Sequence, residues 1–351
     1  PDILVYLGIA YVQAEKPELA VDVLREARDL VEEHSVVALF LGRALKATGF
    51  LDDAETELRR AIELDQEESA AWDDLGNVLF LKGQFGDAVE ILNTAIQKFP
   101  ESAATRSLLA VCLMRLGDYT AALKHWYLVH IQMSDSLMVV TNIAFIHLMR
   151  GELRKASPFV NQAIELDPND RRTRTLLGDL KFQSGMIDDA IEAFNSSLEA
   201  DPTNLPALAR LAIIGYQMGR GDVYTRYMQE IESITDSRCQ RWRSLCHVYE
   251  MLDFKDELID CLIQGTEEHP TDAAPWIVLA KAYEMQSRKE DAERAWIKSF
   301  ALRHYIKLVC PNCAGELRIP FNDTSVVDIY EDRVCIGCEK PIEMPEGLSV
   351  Y

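Results

Sequence analysis

The chain has 351 residues, of which 48% are hydrophobic and 26% charged, with a formal net charge of −21 and 8 cysteines. This composition excludes a globally disordered chain, and no apolar run reaches the roughly 18 residues that a membrane-spanning helix needs. The acidity counts against sequence-independent nucleic-acid binding, which needs Lys and Arg against phosphate, and at first points to a basic partner. No basic and apolar leader opens the chain. It begins at Pro1 rather than Met, so a signal or anchor upstream of Pro1 stays open.

Repetition begins at once. Gly49, Gly83, Gly117, Gly151, Gly185 and Gly219 stand 34 residues apart. Ala20, Ala54, Ala88, Ala122, Ala156, Ala190 and Ala292 keep the same period, as do Pro100, Pro168, Pro202 and Pro270. Nine units of 34 residues end near residue 306 without an insertion. Each unit reads as two helices. Helix A covers about the first fourteen positions, with apolar residues at helical spacing such as Leu75 and Leu79. The recurrent Gly falls just past its end, where a left-handed residue is needed. In helix B the small Ala lets helix A approach, and residues such as Leu92 and Ala95 continue that face. The Pro then stops helix B.

Other residues obey the same scheme. Pro17, Pro158, Pro206 and Pro275 fall in about the first turn of a helix, where a missing N–H costs little. Gly8, Gly42, Gly76 and Gly178 lie inside helix A, which points to tight helix packing. Unit seven departs most: Tyr224 replaces the Ala, Gly215 replaces an aromatic, and Gly219-Arg220-Gly221 makes the helix geometry there uncertain. Unit eight has Leu258 at the Ala position and Asp253 at the Gly position.

The pattern resembles the tetratricopeptide repeat (TPR) family. Unit three carries it best, in Trp72, Leu75-Gly76, Gly83, Ala88, Leu92, Ala95 and Pro100, and unit nine repeats it in Trp276, Leu279-Ala280, Tyr283, Ala292 and Trp296. The resemblance covers about residues 1–305. It implies a mainly all-α fold: a right-handed superhelix with helices A on the concave face and helices B outside. Stability would then be roughly a sum over units and their interfaces.

Residues 306–351 break the pattern. They hold strand-like runs at Ile306–Val309, Leu317–Ile319 and Ser325–Tyr330, and two CxxC pairs, Cys310/Cys313 and Cys335/Cys338, separated by 21 residues. Two such turns set four thiolates around one ion. The module resembles a zinc ribbon, with rubredoxin-like iron as the alternative ion. Four ligands close the site, so the ion is structural, and it supplies folding energy to a module with a small core. The ribbon caps unit nine, offers a second docking surface, or both. Cys112, Cys239, Cys246 and Cys261 lack metal-ligand spacing and read as buried or incidental thiols. Reduced thiols beside a thiolate site favour a cytoplasm-like compartment.

No catalytic constellation emerges. HExxH, GxSxG and GxxxxGK[ST] are absent from the sequence. His147 takes a position usually held by an aromatic and reads as a core-packed His. Asp52-Asp53 and Asp188-Asp189 sit at helix-B starts, where they favour the helix dipole. The chain is therefore expected not to be an enzyme.

By family analogy, positions 2, 5, 6, 9, 12 and 13 of each unit face a partner. They hold seven cations (Arg43, Lys46, Arg115, Arg172, Arg210, Arg243, Lys281) and six acids (Asp2, Asp73, Asp74, Asp179, Glu250, Glu284). The groove is thus nearly neutral, although residues 1–305 carry 32 basic and 49 acidic side chains. The acidity reads as a solvating exterior and no longer argues for a basic ligand. Phe80, Met114, Leu148, Phe182 and Tyr216, with Tyr6, Phe40, Phe145 and Met149, form a candidate apolar stripe for an extended peptide or helix. Arg172, Arg210 and Arg243 are candidates to hold its carboxylates. Asn77 and Asn142 stand at positions of the family's carboxylate clamp. Asp73, Leu108, Ser107 and Val111 replace the other clamp residues, so the clamp is incomplete.

These readings make a non-catalytic protein-interaction scaffold the leading expectation. An alternative is a membrane-associated adaptor similar to the LapB family of bacterial envelope biogenesis, which also joins TPR units to a paired-CxxC module. Its rubredoxin-like module has a shorter cysteine gap than this chain. A third reading is nucleic-acid binding through the ribbon, which Lys307, Arg318, Arg333 and Lys340 against eight acids disfavour.

Overall fold

The computed structural model describes residues 2–31, 33–234, 241–303, 305–309 and 316–320. Among them are eighteen α-helices in nine consecutive pairs. The first four pairs are α1 (Asp2–Gln13) with α2 (Pro17–Leu30), α3 (Ser35–Ala47) with α4 (Leu51–Leu64), α5 (Ser69–Leu81) with α6 (Phe85–Lys98), and α7 (Ala103–Arg115) with α8 (Tyr119–Gln132). The next three are α9 (Leu137–Met149) with α10 (Leu153–Leu166), α11 (Arg171–Gln183) with α12 (Ile187–Ala200), and α13 (Leu205–Gln217) with α14 (Gly221–Ser233). The last two are α15 (Arg241–Met251) with α16 (Lys255–Glu268) and α17 (Ala273–Met285) with α18 (Lys289–Arg303). Two strands follow, β1 (Tyr305–Val309) and β2 (Glu316–Pro320), paired antiparallel with Tyr305 opposite Pro320 and Val309 opposite Glu316. They overlap two of the three strand-like runs; the third, 325–330, lies outside the described residues.

The chain divides into two compact units. One comprises residues 1–117, 271–277 and 293–351, the other residues 118–270 and 278–292. Within the first, α1, α3, α5 and α7 contact one another in succession; within the second, α9, α11, α13 and α15 do. Each unit therefore has its own wall of first helices, with the second helices packed behind.

The helices form for local reasons. In α4, Ala54, Leu58 and Ala61 recur at helical spacing and are all buried, while Asp52 and Asp53 in the first turn complement the helix dipole. The helices then pack closely because a small residue stands at the crossing. A Cβ on Gly8, Gly42 or Gly76 would come within 2.4–2.6 Å of Leu24, Leu58 or Leu92. In α11, a Cβ on Gly178 would lie 2.5 Å from the Phe194 ring. Pro17 and Pro206 stand at the helix starts, as their fixed φ favours. Pro158 differs from expectation: it is the sixth residue of α10, inside the helix, where it removes a donor to the fourth residue before it.

Unit seven, where the repeat pattern fails, is nevertheless a regular pair. The two departures are each accommodated by their own neighbours. Gly215 stands where an aromatic is usual, and a Cβ there would come 2.8 Å from Val223 and 3.2 Å from the backbone of Tyr224. The large Tyr224 in turn packs edge-on against Tyr216. In unit eight Gly265 faces the Trp242 ring, 3.0 Å from its ideal Cβ.

The turn from first to second helix is left-handed at the same position in all nine units. Six units use Gly, with φ between +68° and +84°; the others use Glu15, Asp253 and Ser287, with φ of 55°, 59° and 60°. In unit three the Gly83 N–H donates to Phe80 O at 3.0 Å and the Gln84 N–H to Leu79 O at 2.9 Å, satisfying carbonyls at the helix end. A Cβ on Gly151 would meet nothing within 4 Å, so its φ of +68° isolates the backbone cost. Gly151→Ala is expected to lower stability by about 1–2 kcal/mol, read as a lower urea midpoint, while Ser287→Gly shifts the midpoint the other way.

Candidate functional site

The wall in the first unit is cross-braced by charge. Asp74 on α5 accepts from Arg43 and Lys46 on α3, both at 2.5 Å. Arg43 also lies over the Phe40 ring, 4.9 Å from its centroid. Asp73 accepts from Thr105 on α7 at 2.6 Å, and burial holds its carboxyl above the ordinary range, with neighbouring Asp74 adding to the effect. Arg115 lies over Phe85 and pairs with buried Asp272 at 2.9 Å. Phe80 packs against Phe85 with centroids 5.4 Å apart. Asn77 and Met114 are half-buried, whereas Tyr6 is 74% exposed.

The wall in the second unit carries a cleft of about 370 Å³. Phe145 from α9 and Leu176 from α11 form one apolar side, and Leu205 and Pro206 at the start of α13 form another. Arg171, Arg172, Asp179 and Asp201 supply its charge. Beneath it lies a polar network that the repeat pattern does not announce. The Asn204 amide donates to Thr175 Oγ1 at 2.9 Å and to Ser197 Oγ at 2.6 Å. Both hydroxyls lie 2.8 Å from the Arg171 carbonyl, to which each donates. All three side chains are buried, and this arrangement satisfies both amide hydrogens and both hydroxyls.

Asp179, Arg210 and His247 join α11, α13 and α15. Arg210 donates to Asp179 at 2.5 Å and to Nε2 of His247, and its guanidinium sits over the Phe182 ring. Burial raises the Asp179 carboxyl despite Arg210. Burial, with Arg210 beside it, lowers His247 to about 3. His247 is therefore a neutral acceptor across the physiological range. Arg210, a candidate carboxylate ligand from the sequence, is thus already held within the wall. Arg243 stacks on the Trp242 ring, 5.2 Å from its centroid.

Arg172 differs from these cations. Its Nη2 donates to Asn142 Oδ1 at 2.7 Å, and Asn142 Nδ2 donates to Met138 O at 2.8 Å, which fixes the amide's orientation. The Arg172 side chain opens to solvent in the cleft, yet surrounding protein lowers its pKa, with Asp170 partly opposing that shift. Asn142 itself is buried. Leu148, a stripe candidate, is 3% exposed and packs with Ala144, Ala156, Val160 and Leu176 in the core, because its side chain points between the helices. Tyr216 and Met149 remain exposed, Tyr216 with edge-on contacts to Tyr224 and Phe254.

His147 is buried and stacks on Phe159. Its Nδ1 lies 2.7 Å from Glu152 and its Nε2 2.7 Å from the Tyr127 hydroxyl. The carboxylate accepts from Nδ1–H, which leaves Nε2 to accept from Tyr127. Desolvation and the Glu152 charge hold the Tyr127 phenol above its ordinary range, the reverse of an activated nucleophile. Cys112, Cys246 and Cys261 are buried free thiols, and burial pushes Cys112 up to about 12. Sequence spacing did not relate Cys246 to Cys261, yet their sulfurs are 3.0 Å apart between α15 and α16. Cys239 and the four CxxC cysteines, Cys310, Cys313, Cys335 and Cys338, lie outside the described residues. Among the described residues no group of three His, Cys, Asp or Glu side chains could hold a metal, and no helix is long and apolar enough to cross a membrane.

Two models of the tetratricopeptide repeat family match the sequence, one at residues 11–76 and 79–125, the other at 146–204. The chain carries tetratricopeptide repeats. Human tetratricopeptide repeat protein 7B is 20% identical over 139 residues, which cover 39% of this chain and 16% of that protein. Bovine BBSome complex member BBS4 is 29% identical over 121 residues, covering 34% of this chain and 23% of that protein. The matched segment thus spans under a quarter of either relative. Among solved structures, Pseudomonas aeruginosa pilF aligns with a TM-score of 0.52 at 18% identity, over 59% of this chain and 94% of that one. That likeness is one of fold. The nine-fold left-handed turn is the structural expression of the repeat in this chain.

The His247 geometry gives a pH prediction. An unfolded chain protonates this imidazole near pH 6.5, whereas the folded chain resists until about pH 3. Its contribution is therefore complete above pH 6.5 and declines as pH falls toward 3. In urea titrations between pH 7 and 5, His247→Asn is expected to lose stability less steeply than the wild type.

Proposed function

We propose that the chain is a non-catalytic protein-interaction scaffold, and that an extended peptide or a helix of a partner protein lies along its walls of first helices. The observation that carries this reading is the open cleft at Phe145, Arg172 and Leu176, where apolar walls and an accessible guanidinium meet on the helix-A wall of TPR repeats. Half-buried aromatic rings along both walls, at Phe40, Phe80 and Phe182, supply further apolar contact. Their burial would anchor the partner, and main-chain or charged groups would set its register.

The test is affinity purification with the full chain. Phe80→Asp/Phe182→Asp is expected to lose partners that the wild type retains, with unchanged helical circular dichroism. Retention of the same partners would overturn the reading of these rings as contacts.

We further propose that Cys310, Cys313, Cys335 and Cys338 bind one structural zinc ion. The donor set, four thiols in two CxxC pairs, suits zinc in a closed tetrahedral site. Cys310 and Cys313 lie in the sequence between the paired strands β1 and β2. The ion would fasten this segment to the one carrying Cys335 and Cys338, acting as cap or second docking surface. Elemental analysis of the purified chain is expected to give about one zinc per molecule, falling to a background level in Cys335→Ser/Cys338→Ser. An iron content of one per chain would replace zinc by iron.

A further inference from the structure

We propose that the outward face of α8 is a self-association surface, on which a second copy of this chain docks its own α8 antiparallel. The face belongs to a second helix and not to the walls of first helices, so this goes beyond the scaffold reading and does not depend on it. Leu128 is 44% exposed and Ile131 80%, with Tyr127 and Met133 exposed beside them. Buried Leu123, Trp126 and Val129 hold the opposite side of the helix. The repeat shows how unusual this is. One unit earlier, the positions of Tyr127, Leu128 and Ile131 hold Asn93, Thr94 and Gln97, and one unit later Asn161, Gln162 and Glu165. In the other eight units the position of Leu128 is polar throughout, and that of Ile131 holds no large apolar residue. A contiguous apolar patch on an otherwise solvated surface marks an interface.

Charge points to a second copy. The chain carries a formal charge of −21, so two copies repel each other over most of their surface. Among the nine second helices α8 alone contains no Asp or Glu. It is therefore the outer helix where two acidic copies approach at least cost. It also presents one exposed cation, Lys124, which makes no ion pair among the described residues. Asp135, exposed in the turn three residues past the helix end, accepts from the Ser134 hydroxyl at 3.1 Å and meets no cation among the described residues.

These groups complement one another across a two-fold axis. Lys124, Leu128 and Ile131 follow spacings of four and three, the seam on which two helices pack side by side, and Asp135 continues it past the helix end. An antiparallel pair with its axis between Val129 and His130 sets Leu128 opposite Ile131 of the second copy. The same register sets Lys124 opposite Asp135 of the second copy and near the C-terminal end of that helix, whose dipole also favours a cation. An isologous contact makes each of these meetings twice. Tyr127 borders the seam in a fixed place, its hydroxyl 2.7 Å from His147 and its ring edge-on to Phe159. A bilayer fits this face less well, since one lysine offers little to anionic lipid against the charge of the whole chain. One helix from each copy makes a small interface, so the association is reversible and depends on concentration.

The test is sedimentation velocity of the full chain over a concentration series reaching about 0.1 mM. The wild type is expected to shift from the mass of one 39.7 kDa chain to that of two. Leu128→Glu/Ile131→Glu is expected to weaken self-association by about a hundredfold or more, with unchanged helical circular dichroism. Phe80→Asp/Phe182→Asp, which alters the walls, is expected to associate as the wild type does. Lys124→Asp is expected to weaken association by about tenfold, and Lys124→Asp/Asp135→Lys to recover most of the loss. A wild type that stays single throughout, or a dimer that survives Leu128→Glu/Ile131→Glu, would overturn the proposal. A charge exchange that recovers nothing would overturn the antiparallel register. A single chain that floats with phosphatidylcholine vesicles, and no longer does so as Leu128→Glu/Ile131→Glu, would put a bilayer in place of the second copy.

Discussion

Everything in this chain depends on the close approach of two helices within each 34-residue unit. A pair of short helices has little stability alone, since a helix of 13 or 14 residues is marginal in water. It becomes stable when its apolar face is buried against a partner, and the depth of that burial is set by the residues at the crossing. Gly8, Gly42, Gly76 and Gly178 sit against Leu24, Leu58, Leu92 and Phe194, with no room for a Cβ unless the neighbour moves. The left-handed turn then brings the second helix back at a fixed angle. Because six glycines and three other residues all adopt a left-handed φ, between 55° and 84°, the geometry of the turn outranks the identity of the residue.

The same constraint explains how the units tolerate change. Unit seven forms a regular pair of helices although Gly215 and Tyr224 depart from the repeat. Gly215 lies against Val223 while Tyr224 packs on Tyr216, and Gly265 lies against the Trp242 ring. Core packing tolerates volume-conserving exchange far better than isolated enlargement. Buried polar groups follow a parallel rule. The Thr175–Ser197–Asn204 network and the Tyr127–His147–Glu152 chain are polar, and the donors and acceptors within them meet. A unit can therefore carry polar residues in its interior without losing the fold, provided each has its partner.

Charge divides between two tasks. Most wall cations join one helix to another, and the carboxylates they meet come from distant sequence positions. Arg43 reaches Asp74, and Arg210 reaches Asp179 and His247. Such pairs join neighbouring units, and the loss of hydration at each partner offsets much of the attraction between them. Arg172 stands apart because its neighbour across the wall is an amide.

The sequence alone determined the repeat length, the alternation of helices and the residues at their crossings. Period, apolar spacing and turn chemistry are local, and they leave regular traces at Ala20 or Gly49 and every 34 residues beyond. It also marked Phe145 and Arg172 as facing the wall and His147 as packed inside. It did not reveal that Arg210 is consumed by Asp179, that Leu148 turns into the core, or that Cys246 meets Cys261. Nor did it disclose the network under the cleft. These facts depend on which side chains meet across helices, and the contacting residues lie 15 to 37 positions apart with no fixed spacing. Tertiary structure decided them because ion pairing and volume are settled between neighbours in space, whereas the repeat pattern records only neighbours along the chain.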